Sequence, residues 1–109
     1  MKSIVDEGVP RDLVKLLREL GCDVHSFPNS WKGTKNGRLL QLVSESGFGC
    51  LITSDNNLTS QQNVTRAGVA VDVLPHQFLD ELNEIREMIV DVVNGAEVGS
   101  ISYVAKKVD

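Results

Sequence analysis

Two short acidic segments of the sequence each follow a run of apolar residues. Asp6 and Glu7 come directly after the run 2–5, and Asp55 follows the run 50–53 after one intervening serine. If both runs are parallel strands of one sheet, both segments lie at its carboxyl edge, where open α/β sheets bind ligands. Carboxylate oxygens are the ligands that hard divalent cations prefer. The pattern therefore predicts a cation site built from Asp6 and Asp55, with Glu7 beside them.

Polar and basic residues are expected around this site. Lys32, Lys35 and Arg38 belong to the loop after the second predicted strand and to the helix that follows it. Their positive charge predicts phosphate attraction, and a solvated loop and helix face is the alternative. Ser54 either donates a hydrogen bond to a phosphate or caps the turn.

The elements that must position these residues alternate between strand and helix. Apolar residues at helical spacing predict a helix from Val9 to Leu20, another that starts with Asn36 as its N-cap, a short one over 58–66, and one long helix from Phe78 to Val93. The strands are predicted at 2–5, 22–26, 50–53, 69–74 and, at an edge of the sheet, 99–104. This alternation predicts an α/β fold with a mostly parallel sheet of four to five strands between two layers of helices.

Composition narrows the class of protein. The 109 residues predict one domain over 1–104 and a short C-terminal tail over 105–109. A net charge of −4 argues against a broad nucleic-acid-binding face. No apolar run approaches the length of a membrane span, and the N-terminus lacks a signal-peptide pattern, so we expect a cytoplasmic protein with no membrane partner. In that compartment Cys22 and Cys50 are expected to be two buried thiols.

The chain resembles the PIN-like family, in particular its compact branch of small VapC-toxin-like proteins. The resemblance is carried by the opening segment 4–7, by the helix that ends in Leu20-Gly21, and by the segments 22–25 and 51–58. It implies an Mg²⁺- or Mn²⁺-dependent endoribonuclease in which the metal polarises a phosphate and generates the attacking hydroxide. Asp6 and Asp55 match the family's metal-binding acids. Glu7 matches the acid that adjoins the first of them.

Two positions depart from the family pattern. Asn36 stands where the family has an acid at the start of a helix, and Asn57 stands where it often has a second acid after the third strand. An asparagine offers a hard cation a neutral carbonyl oxygen but no charge. The resemblance therefore implies that Asn36 and Asn57 are weak metal ligands and that the metal is held weakly or is absent.

Three classes of function follow from these residues. The first is a toxin-like metal-dependent ribonuclease, with RNA as substrate and an antitoxin-like protein as partner. The second is a non-catalytic PIN-like interaction protein. The third, a receiver-like phosphoacceptor domain, is disfavoured because the segment 73–75 supplies no lysine. The wide apolar stripe of the last helix and an exposed edge strand also predict a homodimer.

Overall fold

The computed structural model describes residues 1–55 and 60–104, in which strands and helices alternate along the chain. The strands are β1 (Ser3–Val5), β2 (Val24–His25), β3 (Cys50–Thr53), β4 (Ala70–Val73) and β5 (Ile101–Tyr103). The helices are α1 (Arg11–Glu19), α2 (Asn36–Glu45), α3 (Gln61–Ala67), α4 (Leu79–Glu84) and α5 (Arg86–Asn94), and a 3-10 turn covers Asn29–Trp31. The predicted tail, 105–109, and Asn57 lie outside the described residues.

The five strands form one parallel sheet in the order β2-β1-β3-β4-β5. This confirms the predicted α/β class and the edge position of the last strand. After β1 the chain forms β2 on one side of it and then β3 on its other side. The direction of winding therefore reverses between β1 and β3. In open α/β sheets the crevice at such a reversal, outside the carboxyl ends of the strands, is where ligands bind.

Helices cover both faces of the sheet, and each face has its own apolar core. Leu13 and Leu17 lie one helical turn apart, and this spacing keeps one side of α1 on the sheet. Full burial of an aliphatic side chain of this size contributes about 1.5–3 kcal/mol. On the first face the buried helical residues are Leu13, Val14, Leu17, Leu82, Ile89 and Val93. On the second face they are Leu39, Leu40, Val43 and Val64.

The prediction of one long helix from Phe78 to Val93 is wrong. The chain forms α4 and α5, and the backbone turns at Ile85, where φ is −110° and ψ is 20°. The segment holds no proline or glycine at this turn. Instead, the guanidinium of Arg86 donates to the backbone oxygen of Asn83 at 3.0 Å, so a side chain helps to satisfy the last turn of α4. Among the described residues no helix has the length and apolar character needed to cross a bilayer.

Several predicted element ends also shift. Asn36 is the first residue of α2 rather than its cap, and the cap position belongs to Lys35, whose extended backbone carries no side-chain capping bond. The third helix is described from Gln61, and Ser60 caps it by accepting a hydrogen bond from the Asn63 N–H at 3.2 Å. A side chain that satisfies a free N–H in this way stabilises the helix start. The strands β2 and β5 are shorter than predicted.

Candidate functional site

The carboxylate of Asp6 is fixed at the end of β1. Its backbone N–H donates to the oxygen of Ile52 at 2.8 Å, which extends the pairing of β1 with β3 by one residue. Asp6 Oδ1 accepts from the Glu7 N–H at 2.8 Å, and Asp6 Oδ2 accepts from the Thr53 hydroxyl at 2.9 Å. An ionised carboxylate has about four lone-pair positions. Asp6 therefore retains acceptor capacity for a ligand while its orientation is held by the protein.

Thr53 connects the two acidic segments. It is fully buried at the end of β3, and its hydroxyl donates to Asp6 and accepts from the Asp55 N–H at 3.1 Å. One hydroxyl group therefore bonds to the Asp6 carboxylate and to the backbone of Asp55. Parallel pairing of β1 with β3 is what brings both segments to neighbouring strand ends. The arrangement places the Asp6 carboxylate and the Asp55 backbone side by side at the winding reversal of the sheet.

Removing the Thr53 hydroxyl tests this connection. We expect Thr53→Val to lower the free energy of unfolding by about 1–3 kcal/mol, because it leaves the Asp6 oxygen and the Asp55 N–H without their partner. Thr53→Ser keeps the hydroxyl and is the matched control, with a smaller expected loss. Urea unfolding of both variants at neutral pH measures the difference. An equal loss in the two variants would contradict a role for the hydroxyl.

A cavity of about 300 Å³ opens beside Asp6. Asp6, Glu7 and Lys32, all predicted site residues, line it together. Arg11 and Phe27, which were not predicted as site residues, line it as well. The complete lining is Val5, Asp6, Glu7, Val9, Arg11, Phe27, Asn29 and Lys32. The cavity thus combines two carboxylates, two cations and one aromatic ring.

The position of Arg11 at this edge could have been predicted from the sequence. Arg11 is the first residue of α1 and follows Pro10, only a short turn beyond Asp6. A helix that starts just after a strand begins at the carboxyl edge of the sheet, so its first side chains lie at the same edge as the strand's last residues. Phe27 follows β2 and reaches the same edge by the same reasoning.

Other predicted site residues are placed differently. The Ser54 hydroxyl donates to the backbone oxygen of His76 at 2.8 Å, so its only proton is used to tie two strand-end loops together. Arg38 lies on the exposed side of α2, with its guanidinium 3.4 Å from a carboxylate oxygen of Glu45. Lys35 and Asn36 are exposed at the start of α2 and do not line the cavity. Of the predicted phosphate-binding residues, Lys32 is the one at the cavity.

The acidic residues offer a partial set of ligands for a divalent cation. Within 1–55 and 60–104, no three histidine, cysteine or carboxylate side chains come close enough to hold a metal ion. Mg²⁺ commonly binds through one or two carboxylates, several waters and the phosphate of a substrate rather than through an all-protein cage. The Asp6 carboxylate, which lines the cavity, suits that mode of binding, whereas Asp55 is exposed and does not line the cavity. Any cation held in this way depends on the phosphate ligand for part of its coordination.

No protein-family model matches the chain, and no curated protein or solved structure matches it either. The PIN-like resemblance therefore rests on the residues that carry it in the sequence and stays a prediction. The cavity and the two strand ends supply the physical basis for a function.

Proposed function

We propose that the cavity beside Asp6 is a weak Mg²⁺- or Mn²⁺-dependent ribonuclease site. The observation that carries the proposal is the shared Thr53 hydroxyl, which orients the Asp6 carboxylate next to the Asp55 segment at the winding reversal of the sheet. At such a place carboxylates would hold a divalent cation, and a substrate phosphate would complete its coordination. The parallel with the PIN-like family supports RNA as the substrate class.

The residues of the cavity, together with Asp55, which does not line it, have distinct tasks in this proposal. Asp6 and Asp55 would hold the cation, which would supply an activated water and polarise the scissile phosphate. The exposed Glu7 carboxylate, beside Asp6, accepts the proton of the attacking water. Arg11 and Lys32 neutralise phosphate charge, which rises as the leaving oxygen departs.

Cation binding tests the metal part of the proposal. We expect Mn²⁺ to bind the native protein with a dissociation constant near the millimolar range, and Asp6→Asn combined with Asp55→Asn to abolish the binding, because two carboxylates provide most of the charge. Isothermal titration calorimetry with Mn²⁺ in the absence of phosphate measures it. Asp23→Asn, which removes an exposed carboxylate paired with His25, is the control. Equal Mn²⁺ binding by the native protein and the double variant would contradict the site.

A second candidate is a PIN-like protein that binds a partner without cleaving RNA. The two cationic side chains of the cavity favour it. Arg11 and Lys32 equal Asp6 and Glu7 in number, and they can bind a phosphate directly, without a metal. The asparagines at positions 36 and 57, where the family has acids, favour it as well. RNA that binds to the cavity but remains intact in the presence of Mn²⁺ supports this candidate over the nuclease.

The partners of the protein belong to the same proposal. RNA and an antitoxin-like protein follow from the nuclease, which we place in the cytoplasm. The apolar stripe that suggested a homodimer is only partly free, because Leu82, Ile89 and Val93 are at most 5% exposed while Phe78 and Met88 are 67% and 40% exposed. The exposed part of this stripe and the outer edge of β5 are the surfaces that a homodimer would use.

A further inference from the structure

Phe27 joins the cavity to a row of aromatic rings. Its ring centroid lies 6.1 Å from that of Trp31, at an interplanar angle of 87°. Trp31 meets Phe48 in the same edge-to-face manner, at 6.4 Å and 89°. Edge-to-face contacts of this kind fix the orientation of each ring. Phe27 lines the cavity, whereas Phe48 contacts Trp31 without lining it.

The cavity therefore presents a held, half-buried aromatic ring together with cationic side chains. Arg11 and Lys32 are exposed and line the same cavity as Phe27. Aromatic rings stack on nucleobases, and arginine and lysine bind phosphate. At about 300 Å³ the cavity is at the small end of ligand-binding pockets, which suits one nucleotide unit rather than a longer segment.

We propose that this cavity is a subsite for a single 5′-phosphorylated nucleotide, with its base stacked on Phe27 and its phosphate bound by Arg11 and Lys32. The Asn29 side chain, which also lines the cavity, is placed to hydrogen-bond the edge of the base or the ribose. The subsite deepens the proposed function, because it gives the RNA substrate one recognised nucleotide beside Asp6. It does not require a bound cation, so it is separable from cleavage.

Trp31 provides a direct signal for binding. It is the one tryptophan of the chain, and it contacts Phe27. A base that stacks on Phe27 is therefore expected to change the emission of Trp31. The probes are adenosine 5′-monophosphate and, as a ligand without a base, ribose 5-phosphate, each titrated in EDTA so that no divalent cation contributes.

We expect Phe27→Leu to weaken adenosine 5′-monophosphate binding about 5- to 150-fold, the range for loss of one base-aromatic stack. The same variant should leave ribose 5-phosphate binding within about twofold of native, because the phosphate contacts remain. Phe48→Leu removes a ring that touches Trp31 equally but lies outside the cavity, and it should leave both ligands unaffected. Isothermal titration calorimetry checks each affinity independently of the changed emission.

Lys32→Gln completes the test. It should weaken both ligands and reduce the salt dependence of their binding, because it removes a phosphate contact. Equal losses from Phe27→Leu and Phe48→Leu, equal losses for the two ligands in Phe27→Leu, or no nucleotide binding in EDTA would overturn the subsite. Nucleotide binding without RNA cleavage leaves the subsite standing and counts against the nuclease. RNA cleavage without nucleotide binding overturns the subsite and leaves the nuclease proposal standing.

Discussion

Replacing Asp72 with asparagine is expected to be more stabilising at pH 7 than at pH 4, by about 2 kcal/mol in the free energy of unfolding. Asp72 belongs to β4 and has no exposed surface. Asp72 Oδ2 accepts a hydrogen bond from the Cys50 thiol at 3.3 Å, and Asp72 Oδ1 has no hydrogen-bond partner among the described residues. A buried charge with so little compensation opposes folding. Asparagine fills almost the same volume without the charge.

The sign of this effect follows from the proton that Asp72 holds. Burial is the main cause that raises the pKa of Asp72 from 3.8 to about 6, while the hydrogen bond from Cys50 acts in the opposite direction. The stability that comes from the bound proton is therefore complete below about pH 4, and it is lost as the pH rises towards about 6. Above that pH the folded and unfolded chains both hold an ionised carboxylate, so the difference becomes constant.

Urea unfolding of the native protein and of Asp72→Asn from pH 4 to pH 8 measures this difference. At each pH, the free energy of unfolding of the native protein is subtracted from that of Asp72→Asn. The difference isolates the contribution of Asp72, because both proteins share all other titrating groups. Asp91→Asn is the matched control, because it removes a carboxylate that is exposed on α5 rather than buried. A difference curve for Asp72→Asn that does not change with pH would show that the folded chain solvates the Asp72 carboxylate.

Burial and Asp72 together disfavour the thiolate form of Cys50. Burial is the larger cause that raises the pKa of the Cys50 thiol, and the nearby Asp72 carboxylate raises it further. Cys22 and Cys50 are both free and buried, as the sequence predicted. The sequence did not reveal that Cys50 is bonded to a carboxylate. The sequence predicts a strand over Val69 to Leu74, but nothing in it indicates that Asp72 of this strand lies beside Cys50 of β3.

The fold class was predictable because local patterns determine it. Short apolar runs separated by amphipathic helices leave a parallel sheet with two helical layers as the compatible arrangement. The break at Ile85 was not predictable in the same way. The apolar spacing of Leu82 and Ile89 suits one continuous helix, and the hydrogen bond from Arg86 to the Asn83 oxygen, which accompanies the turn, is not encoded in that spacing.

The candidate site was predictable in part for a related reason. Asp6 and Asp55 follow strands, and strand ends meet at one edge whenever the sheet is parallel. The positions of Lys35 and Arg38 depend on the path of the 26–35 loop, which no sequence pattern gives. That path brings Lys32 to the cavity and leaves the start of α2 away from it. Phe27 was not predicted as a site residue, because an aromatic residue after a strand is equally compatible with packing in the hydrophobic core. Its position becomes informative once Arg11 and Lys32 are seen beside it.

Replacing Asp6 with asparagine is expected to lower the rate of RNA cleavage by at least about 100-fold. Asparagine keeps one oxygen that can accept from the Glu7 N–H, and its NH2 group can donate to the Thr53 hydroxyl oxygen, so the strand ends should stay in place. It removes the negative charge that holds the cation. The loss should therefore appear in the rate and in Mn²⁺ binding while the urea midpoint changes little.

Cleavage of a labelled single-stranded RNA oligonucleotide in Mn²⁺ measures this loss. Thr53→Val should cost less activity than Asp6→Asn, because it frees the Asp6 carboxylate from one anchor but leaves its charge. Asp23→Asn, at an exposed carboxylate beside β2, should retain native activity. Cleavage that survives either EDTA or Asp6→Asn would mean that the reaction does not use this site. Intact RNA with the native protein in Mn²⁺ would instead leave the cavity as a site that binds RNA, or another partner, without cleaving it.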